Sequence, residues 1–330
     1  MLSDDYEKNL LSAVIVTYKQ DFFLYQTIDS ILNQTYPNIE IIISDDGSPD
    51  FSINQVQEYI DRNMGNNIKK RMVYKNEKNL GTVRNINIAL SNSSGEYIKI
   101  IGGDDSYFSP EVFSFQVKQL ESEPALFAVV GKSQQCNEKM EPVIDQRIEK
   151  SNLALPKVLQ MNYDESRKYI YREKIFPISV QAVCFRRNFF KEFGLCDEEY
   201  FLIDDLPIIL KLLRCSPNVG YTDIFCVNHR SNVGVSKSQE LFAAKQLIYF
   251  RDCVLYSRNE ICAYPNIYGK HSGRFNLRAS MFAYEIALSK SKKSGVFSRL
   301  LIAFRFIDVV FFTIIRHSIR YINKRNIRRG

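Results

Sequence analysis

The chain has 330 residues, 45% hydrophobic and 25% charged, with no repeats or low-complexity tracts; this is an ordinary folded protein, large enough for about two domains or one large α/β domain with an appendage. Its seven cysteines include no Cys-x-x-Cys pair, which argues against a zinc site or disulfide framework and for a reducing compartment. The net charge of +7 is localised: from Val296 to Gly330 eight Lys and Arg face a single acid, Asp308, so residues 1–295 are neutral overall. A basic tail on a neutral body points to a confined anionic partner and against a nucleic-acid surface spread over the protein.

The start, with Asp4, Asp5 and Glu7 close behind Met1, lacks the basic-then-apolar pattern of a secretory signal, so the protein is expected on the cytoplasmic side. Ser12 to Tyr18 is a continuous β-branched run, read as a strand covered on both faces. Helical spacing follows at Phe23, Thr27, Ile28, Ile31 and Leu32, closed by Tyr36-Pro37-Asn38. A second buried run, Ile39 to Ile43, stops at Asp45-Asp46-Gly47-Ser48. A helix from Ile53 to Ile60, a strand at Met72-Val73-Tyr74 and a loop entering a helix at Gly81 come next. The strand Ile98 to Ile101 then halts at Gly102-Gly103-Asp104-Asp105.

Strands alternating with helices imply a parallel sheet with its acid pairs opening on one rim, where open α/β sheets bind ligands. Asp104 and Asp105, one residue apart, point to opposite sides of an extended chain and so suit different tasks, such as a sugar hydroxyl and a hard divalent cation. No Gly-x-Gly-x-x-Gly or Gly-Lys-Ser/Thr loop occurs, which disfavours a dinucleotide oxidoreductase or a P-loop NTPase. Farther on, 110–120 reads as a helix and 125–130 as a strand, whereas 132–177 is polar without clear periodicity. Regularity returns at Ser179 to Arg187, and a third pair, Asp204-Asp205, enters a helix with apolar Leu206, Ile209, Leu210 and Leu213. A helix N-terminus favours an ionised carboxylate.

In order, Val14 to Tyr18, Asp45-Asp46-Gly47-Ser48, Gly81 with Arg84-Asn85, Gly95 to Ile98 leading to Asp104-Asp105, and Cys184 to Arg187 before Asp204-Asp205 resemble the family 2 glycosyltransferases of the GT-A fold, over roughly residues 11–235. The resemblance implies a Rossmann-like, mostly parallel sheet flanked by helices, with a nucleotide-sugar half over 1–110, an acceptor half over 111–238 and a helical extension over 239–330. It implies that Thr17 and Tyr18 border the nucleobase, that Asp46 accepts the base's ring N–H with Asp45 supporting its loop, and that Arg84 serves the nucleotide site. Asp104 matches the sugar or ribose contact and Asp105 the metal ligand for Mn²⁺ or Mg²⁺, although Gly103 stands where the family's acidic motif has its leading Asp. Asp205 matches the catalytic base and Asp204 its acidic neighbour; a plain helix cap is the other reading of both. Val227 to Arg230 with Ser231 and Ser236 resembles a loop closing over the diphosphate, with His229 and Arg230 as contacts. The Gln-x-x-Arg-Trp signature of processive synthases is missing, and the chain has no Trp.

The resemblance therefore implies an inverting, metal-dependent transfer of one sugar from a nucleotide-sugar donor, a UDP-sugar by preference, to a lipid-linked glycan or polysaccharide of capsule or O-antigen type. The alternatives are a non-catalytic membrane-associated nucleotide-binding scaffold and a sugar nucleotidyltransferase; the latter wants a basic Gly-rich loop after the first strand, which Thr17 to Gln20 does not supply. At the far end Phe297, Leu300, Phe304, Ile307, Phe311 and Ile314 form one apolar helical stripe. Its longest uncharged run, Val309 to Ile315, is far short of the ~20 residues that span a bilayer, so an interfacial helix on the cytoplasmic membrane face is expected, with packing on the catalytic domain or in a homo-oligomer as the other readings.

Overall fold

The computed structural model describes residues 5–231, 239–292 and 294–311, with Leu2 and Thr313, and divides into two compact units, Met1–Gln239 and Glu240–Gly330. Ser236 and the end of the basic stretch, including Ile314, Arg316, Arg320, Lys324, Arg325, Arg328 and Arg329, lie outside the described residues.

In the first unit the two β-branched runs become β1 (Glu7–Thr17) and β2 (Ile39–Asp45), the latter buried at every position. Between them runs α1 (Asp21–Leu32), whose Leu24, Ile28 and Ile31 recur at helical spacing on one buried side. There follow α2 (Ile53–Asn63), β3 (Ile68–Lys75), α3 (Thr82–Ser91), β4 (Gly95–Gly102), β5 (Ser106–Tyr107), α4 (Val112–Ser122) and β6 (Ala128–Cys136). After α5 (Gln146–Leu159) and α6 (Tyr163–Glu173) come β7 (Val183–Arg186), α7 (Arg187–Phe193), α8 (Asp205–Arg214) and β8 (Val219–Arg230).

Among the described residues these strands form an eight-stranded sheet in the order β3-β2-β1-β4-β7-β6-β8-β5. Pairing is parallel from β3 to β4 and between β6 and β8, and antiparallel where β7 and β5 join. In register, Ile15 stands between Ile43 and Ile101, Thr17 opposite Asp45 and Val16 opposite Gly102. The carboxyl ends of β2, β1 and β4 therefore open together on one rim, the place where a switch of strand order admits a ligand. Below it Leu11, Ala13, Ile15, Ile41, Ile43 and Ile101 share a core with Phe113, Val117 and Leu120 of α4, each large side chain contributing about 1.5–3 kcal/mol by burial.

Two stretches depart from expectation. The stretch 132–177 holds α5 and α6, begun by Asp145 and Asn162, whose side chains accept the N–H groups of Arg147 and Glu165. The buried face of α6 is Ser166 and Arg167, which hides its period, whereas α5 buries Ala154, Leu155, Val158 and Leu159 at helical spacing with Pro156 in their midst. The stretch expected as a loop at Val227 to Arg230 is instead the end of β8, held on both sides by β6 and β5.

The second unit is helical: α9 (Gln239–Tyr256) runs into a π turn (Ser257–Cys262), then α10 (Pro265–Tyr268), α11 (Lys270–Ser291) and α12 (Val296–Arg305). Arg278 grips Asp308 through two hydrogen bonds of 2.7 and 2.9 Å, and Arg305 pairs with Glu285 at 2.9 Å. Phe306 is buried beside Phe282, with the Arg278 guanidinium over its ring. Among the described residues no helix is long and apolar enough to cross a membrane.

Candidate active site

The rim is built from backbone first. The Gly103 N–H donates to Val16 O and the Asp46 N–H to Thr17 O, both at 2.9 Å, locking the turns after β4 and β2 onto the end of β1. A Cβ at Gly103 would stand 2.8 Å from Thr17 Oγ1, so only glycine permits this approach. Thr17 is buried and Tyr18 half-buried beside it.

The first acid pair organises loops. Asp45 accepts both the N–H and the hydroxyl of Ser48, at 2.7 and 2.5 Å. Asp46 accepts the N–H groups of Leu80 and Gly81, at 2.8 and 2.9 Å, and the Asn76 amide at 3.1 Å. It thereby pins the loop ahead of α3 to the end of β2. Gly81, at φ +92°, leads α3 in; a Cβ there would meet Phe201 O at 2.6 Å and the Phe201 ring at 2.7 Å. Arg84, on the first turn, is more than half exposed and lies 3.3 Å from the Glu198 carboxylate.

The second pair is where side chains converge. The antiparallel pairing of Ser106 with Asn228 brings the end of β8 against Asp104-Asp105. Asp105 Oδ1 accepts the Arg230 N–H at 2.7 Å, Oδ2 lies 3.1 Å from His229 Nδ1, and Thr27 Oγ1 donates to the Asp105 carbonyl at 2.6 Å. His229 Nε2 lies 2.9 Å from Ser179 Oγ. Burial by itself lowers the imidazole's pKa, but the carboxylates of Asp105, Asp205 and Asp104 together outweigh it and the net shift is upward. Arg230 is buried, its guanidinium donating to Asp104 O at 2.8 Å and to Glu138 O and Gln26 Oε1, over the Phe23 ring at 4.3 Å. Burial, then the Asp105 charge, pushes the Asp104 carboxyl up to about 7.

The third pair joins through its field. Asp204 occupies the N-cap of α8 without a side-chain capping hydrogen bond, so the plain-cap reading finds no bond to support it. Burial and then the Asp205 charge hold its carboxyl well above the usual range. Asp205 keeps a solvent-open face, yet the protein packed around it raises its pKa, with His229 opposing and Asp105 adding to the push. His229 thus stands amid the carboxylates of two pairs a hundred residues apart in sequence.

Asp105 and His229 offer an oxygen and a nitrogen donor with Asp104 alongside, and among the described residues no three His, Cys, Asp or Glu side chains are arranged to enclose a metal. Such a set fits a hard cation that takes one or two carboxylates and completes its shell with water and substrate phosphates.

With an acid-ended parallel rim, a β5–β8 clasp and a model for glycosyl transferase family 2 matching residues 12–194, the assignment follows. The chain belongs to glycosyl transferase family 2. EpsJ of Bacillus subtilis, an uncharacterised glycosyltransferase, is 26% identical over 225 residues, 68% of this chain and 61% of EpsJ. The chain spans less than two thirds of the length of the first curated relatives that it matches. Two solved structures share the GT-A fold. TarS of S. aureus in complex with UDP is 14% identical, with a TM-score of 0.53 over 94% of this chain and 91% of that one. The mannosyltransferase PcManGT of Pyrobaculum calidifontis, in complex with GDP-Man and Mn²⁺, is 14% identical, with a TM-score of 0.54 over 93% and 83%.

Some residues of the site left little trace in the sequence. Asn87 donates to Cys196 O and to the Glu198 carboxylate and accepts the Cys196 N–H, so α3 clamps the loop that delivers Asp204-Asp205. Its one signal is an amide between Ile86 and Ile88 in a helical pattern. Ser179, partner of His229, and Gln181, whose Oε1 is buried with no hydrogen-bond partner among the described residues, lie in a connection with no motif to mark them.

Proposed function

We propose that this family 2 member moves a single sugar from a nucleotide-sugar, a UDP-sugar by preference, to a hydroxyl of a glycan or lipid-linked acceptor, inverting the anomeric centre. The observation that carries the reading is the β5–β8 clasp, which sets His229 between Asp105 and Ser179 and within the field of Asp205. The nucleotide half is 1–110 and the acceptor half 111–238, with 239–330 as a separate helical region. Thr17 and Tyr18 border the base, Asp46 accepts its ring N–H, Asp45 stiffens the loop, and Arg84 meets base or phosphate oxygens. Asp104 takes a ribose or sugar hydroxyl. Asp105, with His229 at hand, would hold a Mn²⁺ or Mg²⁺ ion, which supplies charge neutralisation at the diphosphate when bound. His229 faces the diphosphate, and Arg230 fixes the loop that carries Asp104.

In the transfer the acceptor oxygen attacks the anomeric carbon on the face opposite the diphosphate. The C–O bond to the acceptor forms as the C–O bond to the phosphate breaks, and that electron pair leaves on the nucleoside diphosphate. Asp205 receives the acceptor's hydroxyl proton; its placement counts for more than its basicity, because the proton is lost mainly in the transition state. Asp204, at the start of α8, keeps Asp205 oriented. A lipid-linked acceptor sets the enzyme at the cytoplasmic face of a membrane, peripherally, and capsule or O-antigen assembly is the context in which such acceptors occur.

A thermal-shift panel of nucleoside diphosphates with and without Mn²⁺ tests this. Expected are stabilisation by UDP with metal, its loss in Asp105→Ala, and in Asp205→Asn retained stabilisation with transfer slowed by about 10²–10⁴-fold. Full transfer by Asp205→Asn, or UDP binding indifferent to Asp105→Ala, sinks the proposal.

A further inference from the structure

No residue of helix α12 is buried, and the inward apolar side chains come just after its end. Phe306 and Val309 turn inward and are 1% and 3% exposed, whereas Phe297, Leu300, Leu301, Phe304, Ile307 and Phe311 are 56–76% exposed. Within α12 the exposed Phe297, Leu300, Leu301 and Phe304 recur at three- and four-residue steps and share one outward face; helical residues resume at 307–311 after a turn at Phe306 and add exposed Ile307 and Phe311. An apolar patch of this size left in water marks a surface with an occupant.

Charge says which. Residues 240–330 carry seventeen Lys and Arg against five Asp and Glu, and residues 314–330 carry six with no acid. A second copy of this chain would press a net +12 against a net +12, whereas anionic phospholipid headgroups complement it. Within this unit a groove of about 520 Å³ has Val254, Met281, Leu288 and Ile302 in its walls, with Arg258, Lys292 and the Glu285 carboxylate beside them. The buried Ser289 hydroxyl, without a hydrogen-bond partner among the described residues, also lines it.

We propose that the outward face of α12, with the exposed apolar residues just after it, docks the second unit onto an anionic phospholipid surface, with Phe297, Leu300, Phe304, Ile307 and Phe311 entering the acyl boundary and the net positive charge of residues 240–330 attracting the headgroup phosphates. The inference deepens the proposed function, and it rests on that reading only for the lipid-linked acceptor that the docking would bring within reach.

The test is co-sedimentation of the full chain with vesicles of phosphatidylcholine, alone or mixed with phosphatidylglycerol, alongside light scattering in solution. Expected are binding to the mixed vesicles, weakened as salt rises from about 0.1 to 1 M and the screening length shrinks from ~10 to ~3 Å, and a loss of about tenfold or more in the double variant Phe297→Ser/Phe304→Ser. Equal binding to both vesicle types, undiminished binding by the double variant, or a dimer that the double variant dissociates while vesicle binding is unchanged overturns the proposal. The UDP thermal shift, measured on the same double variant, reports that its first unit is folded. Absence of that shift in the unaltered chain counts against the nucleotide site alone and leaves the vesicle result standing.

Discussion

Asp105 is held from three directions, by the Arg230 N–H, the His229 ring and, through its carbonyl, the Thr27 hydroxyl. A carboxylate so constrained loses little freedom when it meets a ligand, which is how a rigid scaffold favours a charged site. Lys99 shows the opposite use of a charged group. It is fully buried in β4, its Nζ donating to Gln116 Oε1 at 2.5 Å and Val183 O at 3.3 Å, and desolvation pushes its pKa down. In the window between that lowered pKa and the ordinary lysine value of about 10.4, the unfolded chain binds more protons than the folded one. Stability attributable to Lys99 must then rise with pH through the window. Thermal denaturation of the protein and of Lys99→Met across this range should therefore show the difference between them shifting in favour of the unaltered protein as pH increases; a difference constant with pH rules the argument out.

At the scale of elements, α3 does more than cover the sheet. Its N-terminus receives the loop pinned by Asp46, and Asn87, a turn further on, holds the loop that leads to α8. The joint between them is Gly81 against Phe201. Gly81→Ala combines a left-handed backbone, at φ +92°, with a methyl driven into Phe201 O and its ring. The expected cost is about 2–4 kcal/mol of stability, together with a drop in kcat from displacement of the 201–205 segment. Urea unfolding and transfer kinetics on this variant check both; a loss under about 0.5 kcal/mol would mean that the loop yields freely. The strands of this half were legible as continuous apolar runs that stop at turn residues, and the helices from apolar positions at a period of 3.6. Helix α6 was not, because the face that it buries is Ser166 and Arg167; α5 buries Ala154, Leu155, Val158 and Leu159 at helical spacing, but Pro156 interrupts that run.

At the scale of the molecule, the residues assigned to the nucleotide, the cation and the proton all lie in Met1–Gln239, and the exposed apolar helix lies in Glu240–Gly330. A ligand that binds only the native first unit should stabilise that unit alone, by about 2.7 kcal/mol at a hundredfold excess over its Kd. Calorimetry with UDP and Mn²⁺ should accordingly move the transition that unfolds the first unit and leave any separate transition of the second in place; movement of the second transition alone would put the nucleotide elsewhere. Charge is divided along the same line, with a net −5 on residues 1–239 and +12 on residues 240–330.

The sequence by itself determined the acid-ended strands, their order, the family to which they belong and the apolar stripe near residue 300, since each is a matter of local pattern and spacing. Tertiary structure alone decided that β8 is a strand, that His229 stands between Asp105 and Ser179, that Glu198 meets Arg84, and that Phe306 turns inward while Phe304 and Ile307 face water. These are contacts between residues tens to more than a hundred positions apart, or the choice of which apolar side chain is buried where α12 ends. No local preference encodes them; they are settled only when the sheet and the helix pairs close and each buried polar group must find its partner.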